Sequence, residues 1–322
     1  MDMGALASYT CAPYLLDGAP SISEQVVWAE SNAVVYANSV LGARTQKYPD
    51  YLDICIALTG RAPLTGCHLD EKRLPMVSID VPPLKDVDDS FWPLLGYQAG
   101  LIAGASIPVL HGLENAKPTL DDLKAFGAAF GTSSAAPMFH IAGVTPEAVH
   151  DSHLWSRATD LEKLHVEPMG LLDCWNELST AENPEVDLIA LGNPHFSLTE
   201  CAKLSELCEG RSKHPDVALA VTLGREVHAR AREAGYLEIL ENFGALLIND
   251  TCWCMLGEPV IPREARTLMT NSGKYAHYAP NLTGRKVHFG SLAACVDAAC
   301  SGRASSDLPK WLTAAIEPKG SS

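Results

Sequence analysis

Short hydrophobic runs alternate along this chain with longer segments in which apolar positions recur at helical spacing. The runs are rich in branched residues and predict buried strands at 53–58, 76–81, 107–110, 138–141, 186–191, 217–221 and 245–248. The segments with helical spacing predict helices at 23–41, 91–103, 120–130, 169–178, 198–207, 225–240 and 292–299. Strands that alternate with helices indicate an α/β fold of layered, mostly parallel sheets with helices on both faces.

Polar residues follow several of these predicted strands. In open α/β sheets, ligands bind outside the carboxyl ends of the strands, so the segments after each strand are where we expect a site. Three predicted strand ends continue into 59–68, 192–197 and 249–254, which contain Arg61, His68, His195, Ser197, Cys252 and Cys254. Two more segments are polar. The first predicted helix and the residues directly after it contain Ser31, Asn32, Asn38 and Arg44. The segment 271–278 contains Lys274 and Tyr275.

Composition and charge narrow the class of ligand. The chain has 322 residues, 47% of them hydrophobic, so it can bury a large core. A net charge of -15 with scattered Lys and Arg gives no basic stripe, which argues against nucleic acid and favours a small molecule. The most apolar stretch, 94–110, is broken by glycines and a proline, and the first ten residues have no Lys or Arg before an apolar run. We therefore predict a cytoplasmic protein without a membrane span.

Ten cysteines without an export signal are better interpreted as reduced thiols than as a disulfide framework. Most lie in apolar periodic segments, where a cysteine is usually a small core residue. Cys11, Cys252 and Cys254 differ, because they stand in turn-like sequence beside polar residues. The spacing of Cys252 and Cys254 suits a soft metal or cluster, and two buried thiols beside Trp253 are an equally good interpretation.

The other candidates also have a structural interpretation. Arg44 at a predicted helix end suits capping of carbonyl groups, and Arg61 suits either an ion pair or a substrate carboxylate held by two hydrogen bonds. His68 and His195, taken singly, are more often structural histidines than catalysts, although their positions after strands favour chemistry.

Seven segments in a fixed order resemble the aconitase X family. They are Thr10-Cys11-Ala12-Pro13-Tyr14, the stretch 28–45, Thr59-Gly60-Arg61-Ala62-Pro63, Gly66-Cys67-His68-Leu69, Pro194-His195-Phe196-Ser197, Asp250-Thr251-Cys252 and the stretch 270–278. The resemblance covers nearly the whole chain and implies an aconitase-like large domain.

The resemblance implies an iron-sulfur dehydratase that acts on cis-3-hydroxy-L-proline or, in another branch, on mevalonate 5-phosphate. Cys11 and Cys252 match the cluster ligands of the family, whereas Asn193 stands where relatives often have cysteine. Cys254 is the first substitute for the third ligand, with Cys295 after it. If neither of these cysteines is the third ligand, the resemblance implies a smaller cluster, such as [2Fe–2S], or no cluster. Of the two substrates, the imino acid cis-3-hydroxy-L-proline is favoured over the phosphorylated one, because the sequence has no evident Gly-rich loop suited to a phosphate.

The resemblance also implies roles for the candidate residues. His68, His195 and Lys274 are the expected proton-transfer groups, and Arg44 or Arg61 would hold the carboxylate. The remaining polar candidates, expected to line the substrate site, are Ser31, Asn32, Asn38, Ser197 and Tyr275.

The family carries a small swivelling domain, fused or as a separate subunit, and more sequence ahead of the cysteine motif. Neither is present in these 322 residues, so we expect an N-terminally shortened large domain over 1–302, a flexible tail over 303–322 and a small-domain partner. Two rivals stay open: a non-catalytic subunit of the same fold, and a hydrolase in which Cys252 or Cys254 is a nucleophile or zinc ligand.

Overall fold

The structure divides the chain into two compact units. The computed structural model describes residues 7–49, 51–150 and 160–317. The first unit comprises Met1–Leu16, Asp88–Phe91 and Asp173–Thr313, and the second unit comprises Asp17–Val87, Trp92–Leu172 and Ala314–Ser322. The expected large domain over 1–302 stays a prediction, and it would include most of both units. None of the helices in the described part of the chain is long and apolar enough to cross a membrane.

The second unit is built on a four-stranded parallel sheet. Its strands are β1 (Val77–Asp80), β2 (Pro108–His111), β3 (His140–Ile141) and β4 (Glu162–His165), in the order β3-β2-β1-β4. The helices in this part of the chain are α1 (Ser31–Tyr36), which continues as a π-helical segment (Ala37–Leu41), α2 (Leu52–Thr59), α3 (Phe91–Ala103), α4 (Leu120–Ser133) and α5 (Pro146–His150). Thr119 and Asp122 form a capping box at the start of α4, which fixes where that helix begins.

The first unit is built on a five-stranded parallel sheet. Its strands are β5 (Leu188–Phe196), β6 (Ala218–Leu223), β7 (Leu246–Asn249), β8 (Thr267–Thr270) and β9 (Lys286–Phe289), in the order β7-β6-β5-β8-β9. The helices in this part of the chain are α6 (Pro168–Leu178), α7 (Leu198–Cys208), α8 (Arg225–Glu233), α9 (Tyr236–Phe243), α10 (Gly273–Thr283), α11 (Leu292–Ser301) and α12 (Lys310–Ile316). The central strand β5 is buried along its whole length, as expected for a strand covered on both faces. The predicted α/β class with mostly parallel sheets is confirmed.

The predicted strand at 53–58 is wrong, because these residues form helix α2. A short apolar run does not distinguish a buried strand from a helix by its periodicity. Gly60, with a φ of 65°, ends the helix in the left-handed conformation. Arg61 therefore follows a helix and lies in an exposed loop, and it is not at the end of a strand as predicted.

Other boundaries also differ from the prediction. The first predicted helix begins only at Ser31, because the residues before it are extended and Gln25 pairs with Arg44 in a β-bridge. The helix predicted at 225–240 is two helices, separated at Gly235. Strands β4, β8 and β9 and helices α5, α10 and α12 were missed. β4 is an edge strand with mostly exposed polar side chains, so it has no apolar run to reveal it.

The expected flexible tail contains helix α12. Trp311 of this helix is buried, its ring packs edge-on against Phe91 at 5.4 Å, and its Nε1–H donates to the Asp88 carboxylate at 3.2 Å. These contacts fix the helix to the first unit. Residues 318–322 of the expected tail lie outside the described residues.

Close packing of α3 against α4 depends on glycine at position 96. A Cβ atom there would come within 2.3 Å of the Phe126 carbonyl oxygen, a backbone atom that cannot move aside. We expect Gly96→Ala to lower the free energy of unfolding by about 3 kcal/mol in urea denaturation. Gly18→Ala, where an added Cβ meets nothing within 4 Å, is the matched control. Equal stability of the two variants would contradict this account of the packing.

Candidate active site

Three cysteines of the first unit lie close together near the carboxyl end of β7. Cys11 belongs to the N-terminal segment, and Cys252 and Cys254 follow β7 directly. The Cys252 side chain is hydrogen-bonded to the side chains of both other cysteines. Cys254 is exposed and the other two are partly exposed, so the group is accessible from solvent. The structure thus brings together the three residues predicted as metal ligands.

These contacts give the central cysteine thiolate character. Hydrogen bonds from Cys11 and Cys254 lower the pKa of Cys252, and the nearby Lys274 ammonium lowers it further. The hydrogen bond to Cys252, together with burial, raises the pKa of Cys11. The Cys11 thiol therefore donates to a Cys252 thiolate, which is the protonation state that binds metal.

The three cysteine side chains are of the chemical type that binds a thiophilic metal ion or cluster. In the part of the chain that the structure describes, no three His, Cys, Asp or Glu side chains are already arranged to hold a metal ion. Three sulfur atoms are nevertheless linked through Cys252. Asn193 is buried, and neither polar atom of its carboxamide has a hydrogen-bond partner among the described residues. Soft thiolates select iron-sulfur clusters, zinc and copper(I), so the chemistry of these side chains suits a cluster.

His195 holds the cysteine-bearing segments together. Its backbone N–H donates to the Cys11 sulfur at 3.4 Å. The Thr10 hydroxyl bonds to Nδ1 at 3.0 Å and the Thr251 carbonyl oxygen lies 2.6 Å from Nε2, which identifies Nε2 as the protonated nitrogen. Because both ring nitrogens are engaged, the geometry favours a positioning role over the predicted proton transfer. Sequence reasoning missed Thr10 and Thr251, although each precedes a cysteine.

Helix α10 places Lys274 and Tyr275 beside the cysteines. Ser272 caps this helix, because its hydroxyl accepts from the Tyr275 N–H at 3.0 Å and donates to the Asn193 carbonyl oxygen. Lys274 and Tyr275 are both buried, and the Tyr275 ring packs against Trp253 with centroids 5.2 Å apart. Burial and the two cysteine charges raise the pKa of Tyr275, so its hydroxyl stays protonated. The cap residue Ser272 was missed, although a serine before a glycine at a helix start is a recognisable signal.

Ser197 has a structural role at the start of α7. Its hydroxyl accepts from the Glu200 N–H at 3.1 Å, and the Glu200 carboxylate accepts from the Ser197 N–H at 2.7 Å. The two bonds form a capping box. This geometry explains Ser197 without a substrate, and its predicted binding role stays a prediction.

In the second unit, His68 is held between Tyr48 and Gln25. Its Nδ1 lies 2.5 Å from the Gln25 side-chain oxygen, which can only accept, and its Nε2 bonds to the Tyr48 hydroxyl. The ring is therefore neutral, with its proton on Nδ1 and Nε2 accepting from Tyr48. Burial lowers the pKa of His68, and the charges of Arg73 and Arg44 lower it further. Neither Tyr48 nor Gln25 was selected from the sequence.

Asn38, whose predicted substrate binding stays a prediction, is part of a buried structural network. Its amide nitrogen donates to the carbonyl oxygens of Thr45 and Pro137 at 3.1 and 3.0 Å. Its side-chain oxygen accepts from the Thr45 N–H and from the Arg73 guanidinium, at 3.0 and 3.1 Å. Arg73 is 2% exposed and also pairs with Glu147. The carboxamide of Asn38 is thus fully used in holding Arg73.

The remaining predicted substrate residues are also in the second unit. Arg44 forms an ion pair with Asp70, and the Asn32 amide donates to Glu30 at 3.0 Å. Ser31 begins helix α1. Arg61 is exposed in its loop. These positions leave substrate binding by the four residues as a prediction.

A parallel α/β fold with thiols and buried polar side chains at the strand ends is typical of an enzyme. Family models of aconitase X match three parts of the chain: the first domain over residues 1–71, the second domain over 75–176 and the third domain over 186–301. The chain belongs to the aconitase X family.

Curated relatives agree with this assignment. The chain is 57% identical over 313 residues, 97% of its length, to a cis-3-hydroxy-L-proline dehydratase of Pseudomonas aeruginosa, covering 54% of that protein. It is 34% identical over 303 residues, 94% of its length, to a phosphomevalonate dehydratase large subunit of Methanosarcina mazei, covering 71% of that protein. The chain therefore spans about half the length of the relatives named for hydroxyproline.

A solved structure confirms the fold. The crystal structure of Thermococcus kodakaraensis aconitase X in its holo-form matches this chain with a TM-score of 0.81 and 32% sequence identity. The match covers 92% of this chain and 74% of that one.

The lowered pKa of His68 predicts a pH dependence of stability. Near and below pH 6.5 the unfolded chain takes up a proton at His68 more readily than the folded chain, so this residue's contribution is present above about pH 6.5 and lost as the pH falls. We expect His68→Gln to lose less unfolding free energy than the wild type between about pH 7.5 and pH 5.5, measured by urea denaturation.

His165→Gln is the control, because His165 is an exposed histidine on β4. It should keep the pH dependence of the wild type. Identical pH slopes in the wild type and His68→Gln would contradict the description of His68 as a buried neutral imidazole.

Proposed function

We propose that this chain is the large part of a dehydratase that eliminates water from cis-3-hydroxy-L-proline. The observation that carries the proposal is the 57% identity, over 97% or more of the chain, to enzymes of that name in a bacterium and in the fungus Hypocrea jecorina. Relatives named phosphomevalonate dehydratase large subunit share 30% to 36% identity, so that reaction is the second candidate.

Elimination of water from this substrate removes a proton from the carbon that carries the carboxylate and a hydroxide from the next carbon. We assign Cys11, Cys252 and Cys254 as ligands of an iron-sulfur cluster, for which [2Fe–2S] is one candidate type. When bound, a cluster with an open iron position supplies a Lewis acid for the departing hydroxyl group. Cys295 lies fully buried in the hydrophobic core of the first unit, which supports Cys254 as the third ligand.

The chain's own residues provide the other tasks. Lys274 is a buried cation beside the cysteines, where it stabilises thiolates and can exchange a proton. His68 is held neutral by its lowered pKa, but Gln25 and Tyr48 engage both of its ring nitrogens, so it can accept a proton only if Tyr48 gives up its hydrogen bond to Nε2. Arg61 is exposed, and its guanidinium suits a carboxylate held by two hydrogen bonds. His195 positions Cys11 through its backbone N–H.

The test compares Cys11→Ala with Cys55→Ala after anaerobic purification. Cys55 is an exposed thiol on α2 in the second unit, so its variant controls for loss of a cysteine elsewhere. We expect Cys11→Ala to lose most of its iron and acid-labile sulfide and its turnover of cis-3-hydroxy-L-proline, and Cys55→Ala to keep its iron and sulfide. Metal content is measured chemically, and turnover is measured by mass spectrometry as loss of water.

Other results would redirect the proposal. Loss of water from mevalonate 5-phosphate alone would select the second candidate. Zinc in the purified wild type, without acid-labile sulfide, would favour the alternative of a hydrolase in which Cys252 or Cys254 is a zinc ligand. The wild type is also assayed together with the smaller domain or subunit. If it then contains no iron or sulfide and shows no turnover, the chain is a non-catalytic member of the family.

We also propose that the active enzyme includes a smaller domain or subunit that covers helix α2. A relative that matches 94% of this chain is named a large subunit, which implies a smaller partner for that protein. In α2 the only buried side chain is Ile56. Ile54, Leu58 and Leu64 on and after this helix are 53%, 76% and 81% exposed. An apolar patch of this kind marks an interaction surface.

The expected partner can be supplied as the part of the Pseudomonas aeruginosa relative that this chain does not match. We expect it to form a one-to-one complex with this chain in analytical ultracentrifugation. The double variant Ile54→Ser and Leu58→Ser should weaken the complex by about tenfold or more, because two buried apolar side chains are lost. Leu101→Ser, on an exposed position of α3, is the control. An unchanged dissociation constant in the double variant would exclude α2 from the interface.

A further inference from the structure

Asn193 carries an unpartnered carboxamide inside the first unit. The residue is 4% exposed and lies on the central strand β5. Its side-chain oxygen and nitrogen are both buried, and neither has a hydrogen-bond partner among the described residues. A carboxamide has two donor hydrogens and an acceptor oxygen, so all of its hydrogen-bonding capacity is unused.

Two hydrogen bonds link the strand that carries Asn193 to the cysteine cluster formed by Cys11, Cys252 and Cys254, and to the helix beside it. Two residues further along β5, the His195 N–H donates to the Cys11 sulfur at 3.4 Å. The Asn193 carbonyl oxygen accepts from the Ser272 hydroxyl, which caps the helix that carries Lys274. Lys274 in turn lies close enough to Cys252 and Cys11 for its charge to act on both.

A second unpartnered group lies next to the same cysteines. The Tyr275 hydroxyl is buried and has no hydrogen-bond partner in the part of the chain described. The charges of Cys254 and Cys252 act on this hydroxyl. Buried polar side chains without partners are uncommon in native proteins and call for a bound water, ion or ligand. Two of them beside the same thiolates indicate one common partner.

We propose that Asn193 and Tyr275 complete the iron-sulfur site with non-thiolate contacts. The Asn193 side-chain oxygen is a ligand or close neighbour of iron, and the Tyr275 hydroxyl donates a hydrogen bond to a sulfur atom of the bound cluster. Amide oxygens bind harder metal ions than thiolates do, and hydrogen bonds to sulfur change the reduction potential of a cluster. This inference rests on the proposed cluster and adds residues that the cysteine pattern does not reveal.

The experiment uses anaerobically purified protein with its cluster in place. Asn193→Ala, Asn193→Asp, Tyr275→Phe and the control Ser205→Ala are compared with the wild type; Ser205 is a buried hydroxyl residue of α7, bonded to the Ala202 carbonyl oxygen. The readouts are iron and sulfide per chain, the electron paramagnetic resonance spectrum, the reduction potential, and the rate at which a chelator removes iron.

We expect Asn193→Ala to release iron to the chelator about tenfold faster than the wild type or more, with a changed resonance spectrum. Asn193→Asp keeps the shape of the side chain and should retain iron with a lower reduction potential, because it adds negative charge. Tyr275→Phe should retain iron with a shifted potential, and Ser205→Ala should match the wild type.

Iron and sulfide in the wild type, with spectrum, potential and chelator rate unchanged in Asn193→Ala and Tyr275→Phe, would overturn this inference and leave the proposed cluster intact. If Asn193→Ala does not fold, an unchanged spectrum and potential in Asn193→Asp would overturn the part of the inference that concerns Asn193. A wild type without iron and sulfide would contradict the cluster and this inference together.

Discussion

The interaction between the side chains of Cys11 and Cys252 is the one on which the candidate site depends. It joins the N-terminal segment to the loop that follows β7, two parts of the chain that are far apart in sequence. His195 reinforces the contact, because its backbone N–H bonds to Cys11 and its ring bonds to the residue before each cysteine. A lowered pKa at Cys252 follows from this arrangement, and a thiolate is the form of cysteine that the proposed metal site requires.

The parallel sheet explains why these residues meet. β5, β7 and β8 run in the same direction, so the segments that follow them emerge at one edge of the sheet. That edge carries Asn193 and His195 at the end of β5, the cysteines after β7, and Lys274 on the helix after β8. The second unit has its own buried network around Arg73 and His68, in which Asn38 has a structural part.

Much of the fold could be predicted from the sequence, because compact branched runs and amphipathic periodicity mark most of the strands and helices. The run at 53–58 was wrongly predicted as a strand, since an apolar run of that length fits either a strand or a helix. β4 could not be found, because its exposed side chains are polar. The three cysteines were identified from their turn-like surroundings. Partners such as Tyr48 and Ser272 were not, because their contacts join residues distant in sequence and depend on tertiary packing.

The central claim is that Cys11, Cys252 and Cys254 together bind one metal group. Its most direct test is alkylation of the anaerobically purified native protein with iodoacetamide, followed by mass spectrometry of each cysteine. Cys254 and Cys55 are both exposed in the structure, so they should react alike unless a metal group protects Cys254. The account predicts rapid labelling of Cys55 and protection of Cys11, Cys252 and Cys254 until a chelator is added. Labelling of Cys254 and Cys252 as fast as Cys55 before the chelator is added would contradict it.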